Sequence, residues 1–298
     1  MIIDSGLKRI IQQALREDIG PQDITTNAIL QKSKKGKYVI TAKEELVICG
    51  LSIAEVAFET VDESVRFKPL VNEGMAVEKS KAIAYVEGRC WPILAAERTA
   101  LNFLCWLSGI STLTNKFVQA VKGTRSQIMD TRKTIPAQRR LQKYAVKIGG
   151  GTNHRMGLYD QVLIKDNHIA SVLAEPSIAK TKKQAIKNIM EDAKRNTQKG
   201  KKIEIEIDKL DTLRTVLEYS PDIIMLDNMS IKDIKEAVRV RDAHRIKVGD
   251  VGFKVLLEAS GNVSLKNVRE IAECGIDRIS IGALTHSAPA VDISLEAR

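Results

Sequence analysis

Hydrophobic positions recur along this chain with two different periods. Near the start, Ile3, Leu7, Ile10, Ile11, Ala14 and Leu15 share one helical face. Asp4 or Ser5 is placed to cap that helix, and Gly20-Pro21 to stop it. Residues 38–48 hold two short apolar runs around Lys43-Glu44-Glu45, read as a strand pair or a bent strand. Leu51–Val61 has helical spacing, and residues 65–86 carry β runs separated by the turn signals Asn72-Glu73-Gly74 and Glu78-Lys79-Ser80. Residues up to about 90 therefore predict an α+β unit with a small, mostly antiparallel sheet. Pro92 is placed to open a helix that is apolar nearly all round over 93–107. Ser108-Gly109 is expected to end it, and residues 111–122 to form a second amphipathic helix.

From about residue 126 the pattern changes. Short apolar runs at 127–129, 161–164, 203–207, 223–226, 255–257 and 278–281 alternate with helical stretches at 182–194, 211–217, 231–239 and 265–274. Such alternation predicts parallel strands joined by crossover helices. Six strands are fewer than a full eight-stranded barrel, so a barrel-like or open α/β domain is expected. The predicted strands end in Asp130-Thr131-Arg132-Lys133, Lys165-Asp166, Asp208, Asp227-Asn228, Ala259-Ser260-Gly261 and Gly282-Ala283. In parallel sheets, function gathers at the carboxyl ends of the strands.

Composition narrows the picture. The 298 residues suit one large domain or two ordinary ones, and 44% hydrophobic content is enough for a sizeable core. No apolar run reaches the about 18 residues that span a bilayer, and the N-terminal segment mixes acids and bases. A cytoplasmic protein without membrane association is expected. Cys49, Cys90, Cys105 and Cys274 have no C-x-x-C spacing and read as buried or half-buried thiols, not as metal ligands. The net charge of +10 reflects either a lysine-rich surface, with clusters at 32–37 and 180–202, or an anionic partner. No basic run is interleaved with aromatics for base stacking, and no zinc-finger or RNP pattern occurs, so no nucleic-acid partner is expected. G-x-G-x-x-G and P-loop patterns are absent as well.

The candidate chemistry centres on residues 127–168. Arg132 and Lys133 follow one strand, His154 and Arg155 follow the turn Gly149-Gly150-Gly151, and Lys165 ends the next strand. Each alone reads as a solvated charge; together they suit a ligand with several anionic groups. Arg98 falls on the helical face of Leu94, Leu101 and Cys105, where it serves either a local ion pair, most simply with Glu97, or an anion site. Glu204, Glu206 and Asp208 alternate on one strand and share a face, and Asp227 ends the next. These carboxylates suit sugar hydroxyls or a Mg²⁺ carried by a phosphorylated substrate, or else internal salt bridges. Ser260-Gly261 and Gly282-Ala283 suit either backbone donors to a phosphate or tight strand-to-helix turns. A Schiff base on Lys165 has no supporting sign of desolvation.

Long motifs then carry a resemblance. ALREDIGPQDITTNAI (14–29), AAERTALNFL (95–104), LSGISTLT (107–114), MDTRKTIP (129–136), KYAVKIGGGTNHRMGLYDQVLIKDNHI (143–169), IEIEID (203–208), IIMLDNMS (223–230), LEASGNVSLKNV (257–268) and ISIGALTHSAPAVDISLE (279–296) occur in this order. The sequence resembles the quinolinate phosphoribosyltransferases, the decarboxylating enzymes of NAD biosynthesis. The resemblance implies an N-terminal α/β sandwich over 1–108, an incomplete parallel α/β barrel over 109–284, and a tail, 285–298, that returns to the first domain. It implies a homodimer or hexamer in which Arg98 crosses to the neighbouring subunit, which decides its role for the anion site. By motif, Arg98, Arg132, His154, Arg155 and Lys165 would surround quinolinate. Thr131 would contact substrate, and Lys133 and Lys165 would face phosphoribosyl pyrophosphate. Glu206 and Asp227 would meet the ribose hydroxyls directly or through Mg²⁺, the one cofactor implied. Ser260, Gly261, Asn262 and Gly282 would cradle the 5′-phosphate.

Three departures stand out. Asn262 replaces a usual second glycine, Ala137-Gln138 replaces a usual Gly-Leu, and segments 180–201 and 241–254 are long and basic. Alternative readings are a molybdate-transport-associated relative of the same fold, a nicotinate phosphoribosyltransferase, and a basic RNA-binding protein on this scaffold. The unbroken DTRKT, NHRMGLYD and LIKDNH favour the enzyme acting on quinolinate.

Overall fold

A computed structural model describes residues 3–175, 177–247 and 255–298. Residues 248–254 of the second basic segment lie outside the described part. The chain runs α1 (Ser5–Ile19), α2 (Ile24–Ile29), β1 (Lys35–Ala42), β2 (Leu46–Val47), α3 (Leu51–Val61), β3 (Arg66–Pro69), β4 (Ala76–Val77), β5 (Ala82–Arg89) and α4 (Cys90–Ala120). It continues through β6 (Gln127–Met129), α5 (Arg139–Ile148), β7 (Val162–Ile164), α6 (Asp166–Leu173), α7 (Lys182–Asn196), β8 (Ile203–Ile207) and α8 (Leu210–Leu217). The last elements are β9 (Ile223–Asp227), α9 (Ile231–Lys247), β10 (Leu256–Ser260), α10 (Val268–Glu273), β11 (Arg278–Ser280), α11 (Ala283–His286) and β12 (Ile293–Ala297). They divide into two units. One holds Met1–Asn115, Pro136–Gly150 and Leu284–Arg298; the other holds Lys116–Ile135 and Gly151–Ala283.

The first unit is built on a four-stranded antiparallel sheet in the order β12-β1-β5-β3. The C-terminal strand pairs with β1, Ile40 opposite Leu295. Helix α1 is capped by Asp4, whose Oδ1 accepts the Leu7 amide at 3.0 Å, and it buries Leu7, Ile11 and Leu15. Helix α3 begins after Gly50 without a side-chain cap of its own. Glu73 supplies one from a distant turn, accepting the Gly50 and Leu51 amides at 3.0 and 2.7 Å.

Helix α4 corrects two expectations. It runs unbroken for 31 residues through Ser108-Gly109, and Pro92 lies inside its first turn. Ser108 is there for its hydroxyl, which bonds the amide and carbonyl of Cys49 at 3.0 and 3.2 Å. Gly109 is there for space: a Cβ would stand 2.0 Å from the Pro289 carbonyl oxygen. The helix is also not buried all round. Leu101 is buried, but Leu94 and Cys105 are half-buried and Arg98 is exposed. Its charge therefore sits in solvent in the single chain and needs no local partner. All four cysteines are free, three buried and Cys105 half-buried.

The second unit carries a six-stranded parallel sheet in the order β6-β11-β10-β9-β8-β7. All six sequence-predicted strands are present within three residues of their expected ends. Alternation along them separates two faces. Ile205, Ile207, Leu257, Ala259 and Ile279 are buried on one. Glu204, Glu206, Asp227, Glu258, Ser260 and Arg278 lie on the other, with Glu206, Met225, Glu258 and Arg278 in one row of the register.

The sheet curls toward a barrel. Thr152 docks on the free edge of β6, opposite Met129. In a flat sheet β6 and β8 would be about 19 Å apart at ~4.8 Å per strand. Yet His154, two residues beyond Thr152, lies 3.1 Å from Glu204 of β8. The class is thus α/β, an antiparallel α/β unit and an incomplete parallel barrel, with a polar interior face. Among the described residues, no helix is long and apolar enough to cross a membrane.

Candidate active site

The polar ends of the parallel strands bring their groups to one mouth, because parallel strands all point their carboxyl ends the same way. After β6, the Thr131 hydroxyl accepts the Lys133 amide at 3.0 Å, and the Thr134 amide donates to the Arg132 carbonyl at 2.9 Å. This turn leaves Lys133 exposed and Arg132 half-buried. After β7, Lys165 caps α6, its amide donating to His168 Nδ1 at 2.8 Å. Its Nζ lies 3.3 Å from Glu206 Oε2. Asp208 points away from the other two carboxylates of its strand: it is exposed and pairs with Lys182 at 2.9 Å.

The loops after β9 and β10 form one network. Gly261 has φ +90 and Asn262 φ +52, both in the left-handed region. A Cβ on Gly261 would meet Asn228 Oδ1 at 2.1 Å, so only glycine fits. Asn tolerates the left-handed conformation better than most residues, which explains how Asn262 stands in a glycine's place. Its amide donates to Asn228 Oδ1 at 3.0 Å, and Asn228 Nδ2 donates to Asp227 Oδ2 at 2.9 Å. Helix α10 starts six residues after Asn262, so Ser260-Gly261 forms a tight turn away from any helix N-terminus. Gly282 does directly precede the short α11.

The segment 151–161 crosses the opening between β6 and β7. The triple glycine ahead of it ends α5, a helix the apolar pattern did not predict. Gly149 caps it and packs so closely that a Cβ would stand 2.4 Å from the Ser111 carbonyl oxygen. Gly150, at φ +91, supplies the turn. Buried Asp130 then grips the segment, accepting Asn153 Nδ2 at 2.6 Å and the His154 amide at 2.9 Å.

His154 and Arg155 are both buried. His154 Nε2 lies 3.1 Å from Glu204 Oε2 and 3.4 Å from Glu258 Oε1, and Nδ1 accepts the Arg155 amide at 2.7 Å. Burial disfavours the imidazolium, but hydrogen bonds and charge from Glu204 and Glu258 draw the pKa up to about 9. Burial and the neighbouring Glu258 push Glu204 up as well. The Arg155 amide occupies Nδ1, so His154 meets the two carboxylates through Nε2. Arg155 is held below the usual arginine range by burial and then by the charge of Arg132. Its Nε is buried without a hydrogen-bond partner. Two neighbouring guanidiniums, one of them buried, favour an anion between them.

Sequence reasoning missed Glu258, Arg278, Asp130, Gln161 and Asn228. Glu258 had a signal, an acid inside the apolar run Leu256-Leu257-Glu258 and two residues before Ser260, hence on the same face. Arg278 Nη1 lies 3.4 Å from Glu258 Oε2, and both are buried. His154, Glu204 and Glu258 bring ligand atoms within 4.8 Å of one another, as a metal would require, but Arg278 already neutralises Glu258 there. Glu206 and Asp227, with hard oxygen donors at the mouth, fit Mg²⁺ better. At the opposite ends of the strands lies a cleft of about 390 Å³ between Gln161, Lys201, Lys202 and Arg278, with His154 and Arg155 in its wall. Arg98 belongs to the other unit.

A parallel barrel with a cationic mouth at the carboxyl ends of its strands is the setting of an enzyme that acts on anionic substrates. Residues 23–108 match the N-terminal domain of quinolinate phosphoribosyl transferase and residues 110–296 its C-terminal domain. The chain belongs to the quinolinate phosphoribosyltransferase family. A probable nicotinate-nucleotide pyrophosphorylase of Methanocaldococcus jannaschii is 43% identical over 99% of this chain and 98% of its own length. Solved nicotinate-nucleotide pyrophosphorylases from Francisella tularensis and Ehrlichia chaffeensis superpose with TM-scores of 0.86 and 0.85, at 35% and 39% identity. Each alignment covers all of this chain, and 98% and 100% of the respective structures.

Proposed function

We propose that this protein transfers the phosphoribosyl group of phosphoribosyl pyrophosphate to quinolinate and decarboxylates the product, giving nicotinate mononucleotide, pyrophosphate and CO₂. The observation that carries the reading is the buried Arg155, whose Nε has no hydrogen-bond partner and whose charge is felt by Arg132, a setting a dicarboxylate would fill. Arg132, His154, Arg155 and Lys165 belong to the quinolinate half, completed by Arg98 of the partner subunit in a homodimer or hexamer. Thr131, Lys133 and Lys165 face the pyrophosphate. Glu206 and Asp227 hold the ribose hydroxyls, and Ser260, Gly261, Asn262 and Gly282 the 5′-phosphate.

In this reading the cations orient the pyridine nitrogen toward the anomeric carbon. The nitrogen lone pair forms the new bond as the bond from that carbon to pyrophosphate breaks, and its electron pair leaves with pyrophosphate. Lys133 and Lys165 stabilise that leaving charge, and Glu206 and Asp227 stabilise positive charge developing on the sugar. Glu206 and Asp227 would hold the Mg²⁺ that accompanies phosphoribosyl pyrophosphate, which would add Lewis-acid neutralisation of the phosphates. The ring is then a pyridinium, so the electron pair released at C2 with CO₂ is stabilised by the adjacent cation until a proton replaces it. The cytoplasm is the compartment this reading implies.

The test mixes protein, quinolinate, phosphoribosyl pyrophosphate and Mg²⁺, and measures nicotinate mononucleotide and CO₂; no product sinks the reading. Arg132→Ala is expected to lose quinolinate saturation, and an unchanged KM for quinolinate contradicts its role. A nicotinate phosphoribosyltransferase would instead turn over the monocarboxylate without releasing CO₂.

A further inference from the structure

Arg155 is held at both ends by residues that one buried carboxylate grips. Its amide donates to His154 Nδ1 at 2.7 Å, and its guanidinium donates through Nη1 to the Gln161 carbonyl at 3.1 Å. His154 Nε2 stands 3.1 Å from Glu204 Oε2, and the Gln161 side-chain amide donates to that same oxygen. Glu204 is fully buried, and a second buried carboxylate, Glu258, approaches Nε2 from the neighbouring side at 3.4 Å. Arg278 balances Glu258 in turn.

This geometry costs the protein something. Two carboxylates and an imidazole buried together pay a large desolvation penalty, and an apolar cluster of the same volume would stabilise the fold at least as well. The arrangement instead specifies a position. Nδ1 accepts the Arg155 amide, and Nε2 stands buried within ion-pair distance of both carboxylates, so the imidazole is committed to this cluster. Its influence on a substrate passes through Arg155.

We propose, resting on the quinolinate reading above, that Glu204 and Glu258 are positioning residues for the dicarboxylate: through His154 and Gln161 they aim the Arg155 guanidinium at it. Glu204 is the principal anchor, since both arms of the clamp end on it. Glu258 fixes the imidazole from the other side. Neither touches the phosphoribosyl half, which is gathered around Asp227, Ser260 and Gly261.

The experiment is a double-mutant cycle read by steady-state kinetics. Glu204→Ala is expected to raise the KM for quinolinate ~10–100-fold and to leave that for phosphoribosyl pyrophosphate within about threefold. Glu204→Gln keeps an oxygen that accepts from both His154 and Gln161, and is expected to recover most of the loss. In an Arg155→Ala background, Glu204→Ala is expected to add less than about threefold, because the group it positions is gone. Equal fold-losses in the two backgrounds overturn the proposal, as does a Glu204→Ala enzyme whose two KM values rise together. If Glu204→Ala does not fold, Gln161→Met removes one arm from a half-buried site. It is expected to raise the quinolinate KM alone, again only when Arg155 is present, and an unchanged KM overturns the proposal. Wild-type enzyme runs alongside: absence of product there rejects the functional reading, whereas product with an additive cycle rejects only this inference.

Discussion

Gly261→Ala places one methyl group in the tight turn after β10 that is proposed to hold the 5′-phosphate. The residue has φ +90, and left-handed backbone costs an L side chain roughly 1–2 kcal/mol. The new Cβ would lie 2.1 Å from Asn228 Oδ1 and 2.5 Å from its Cγ, so rotation of the amide tip alone leaves a clash. Moving Asn228 breaks its bonds to Asn262 Nδ2 at 3.0 Å and Asp227 Oδ2 at 2.9 Å, each contributing about 1 kcal/mol. The sum is about 3–4 kcal/mol with no relaxation. If half is recovered by loop movement, about 2 kcal/mol remains, which is ~30-fold in affinity. The assay is steady-state kinetics with each substrate varied in turn. The KM for phosphoribosyl pyrophosphate is expected to rise ~30-fold while that for quinolinate stays within about threefold. Adding Asn228→Gly removes the obstructing side chain from a residue at φ +53 and is expected to restore part of the loss. A Gly261→Ala enzyme with an unchanged KM for phosphoribosyl pyrophosphate, or with both KM values raised alike, refutes the reasoning.

Other consequences are open to measurement. Asp277 accepts Arg241 Nη1 at 2.6 Å and the Leu257 amide at 3.0 Å, and Arg241 is 2% exposed. Asp277→Ala leaves that guanidinium, among the described residues, with only Asp242 and is expected to cost about 3 kcal/mol, a fall in Tm of ~6–12 °C; a fall under ~2 °C contradicts the pairing. Glu73→Ala uncaps α3 and is expected to cost about 1–2 kcal/mol in urea unfolding, with Glu73→Gln milder. The pH dependence follows from the His154 cluster. Its folded pKa of about 9 exceeds the reference 6.5, so its stabilisation is complete below about pH 6.5 and is lost as pH rises through about 9. Glu204, also raised, acts with the same sign. Unfolding free energy is expected to decline between about pH 7 and 9.5, and a Glu204→Gln variant with an equally steep decline counts against this assignment.

The resemblance carried residue roles further than spacing did. Periodicity located the six parallel strands, because a buried strand in an α/β layer is a short apolar run between charged loops. Placing Arg132, Lys165, Asp227 and Ser260 at one mouth then needed only the parallel direction of those strands. Ser108-Gly109 misled for a local reason. The pair breaks helices in isolation, but here its hydroxyl satisfies the backbone of Cys49 and its missing Cβ admits Pro289. Neither partner is near in sequence. Helix α5 was hidden because Gln142 and Lys143 stand among its buried residues beside Leu141, Ala145 and Val146, which breaks the apolar pattern.

By itself, then, the sequence determined which residues form strands, which charges end them and that the mouth is cationic, since these depend on local periodicity and on strand direction. Only the tertiary structure decided which of those charges meet. The sheet order places β6 and β7 at opposite edges, and the curl of the sheet brings the segment between them back over β8 and β10. His154, Glu204, Glu258 and Arg278 are therefore neighbours although they come from four separate stretches of chain. Burial then sets their protonation, because a charge removed from water is governed by the few groups around it and no longer by its reference pKa.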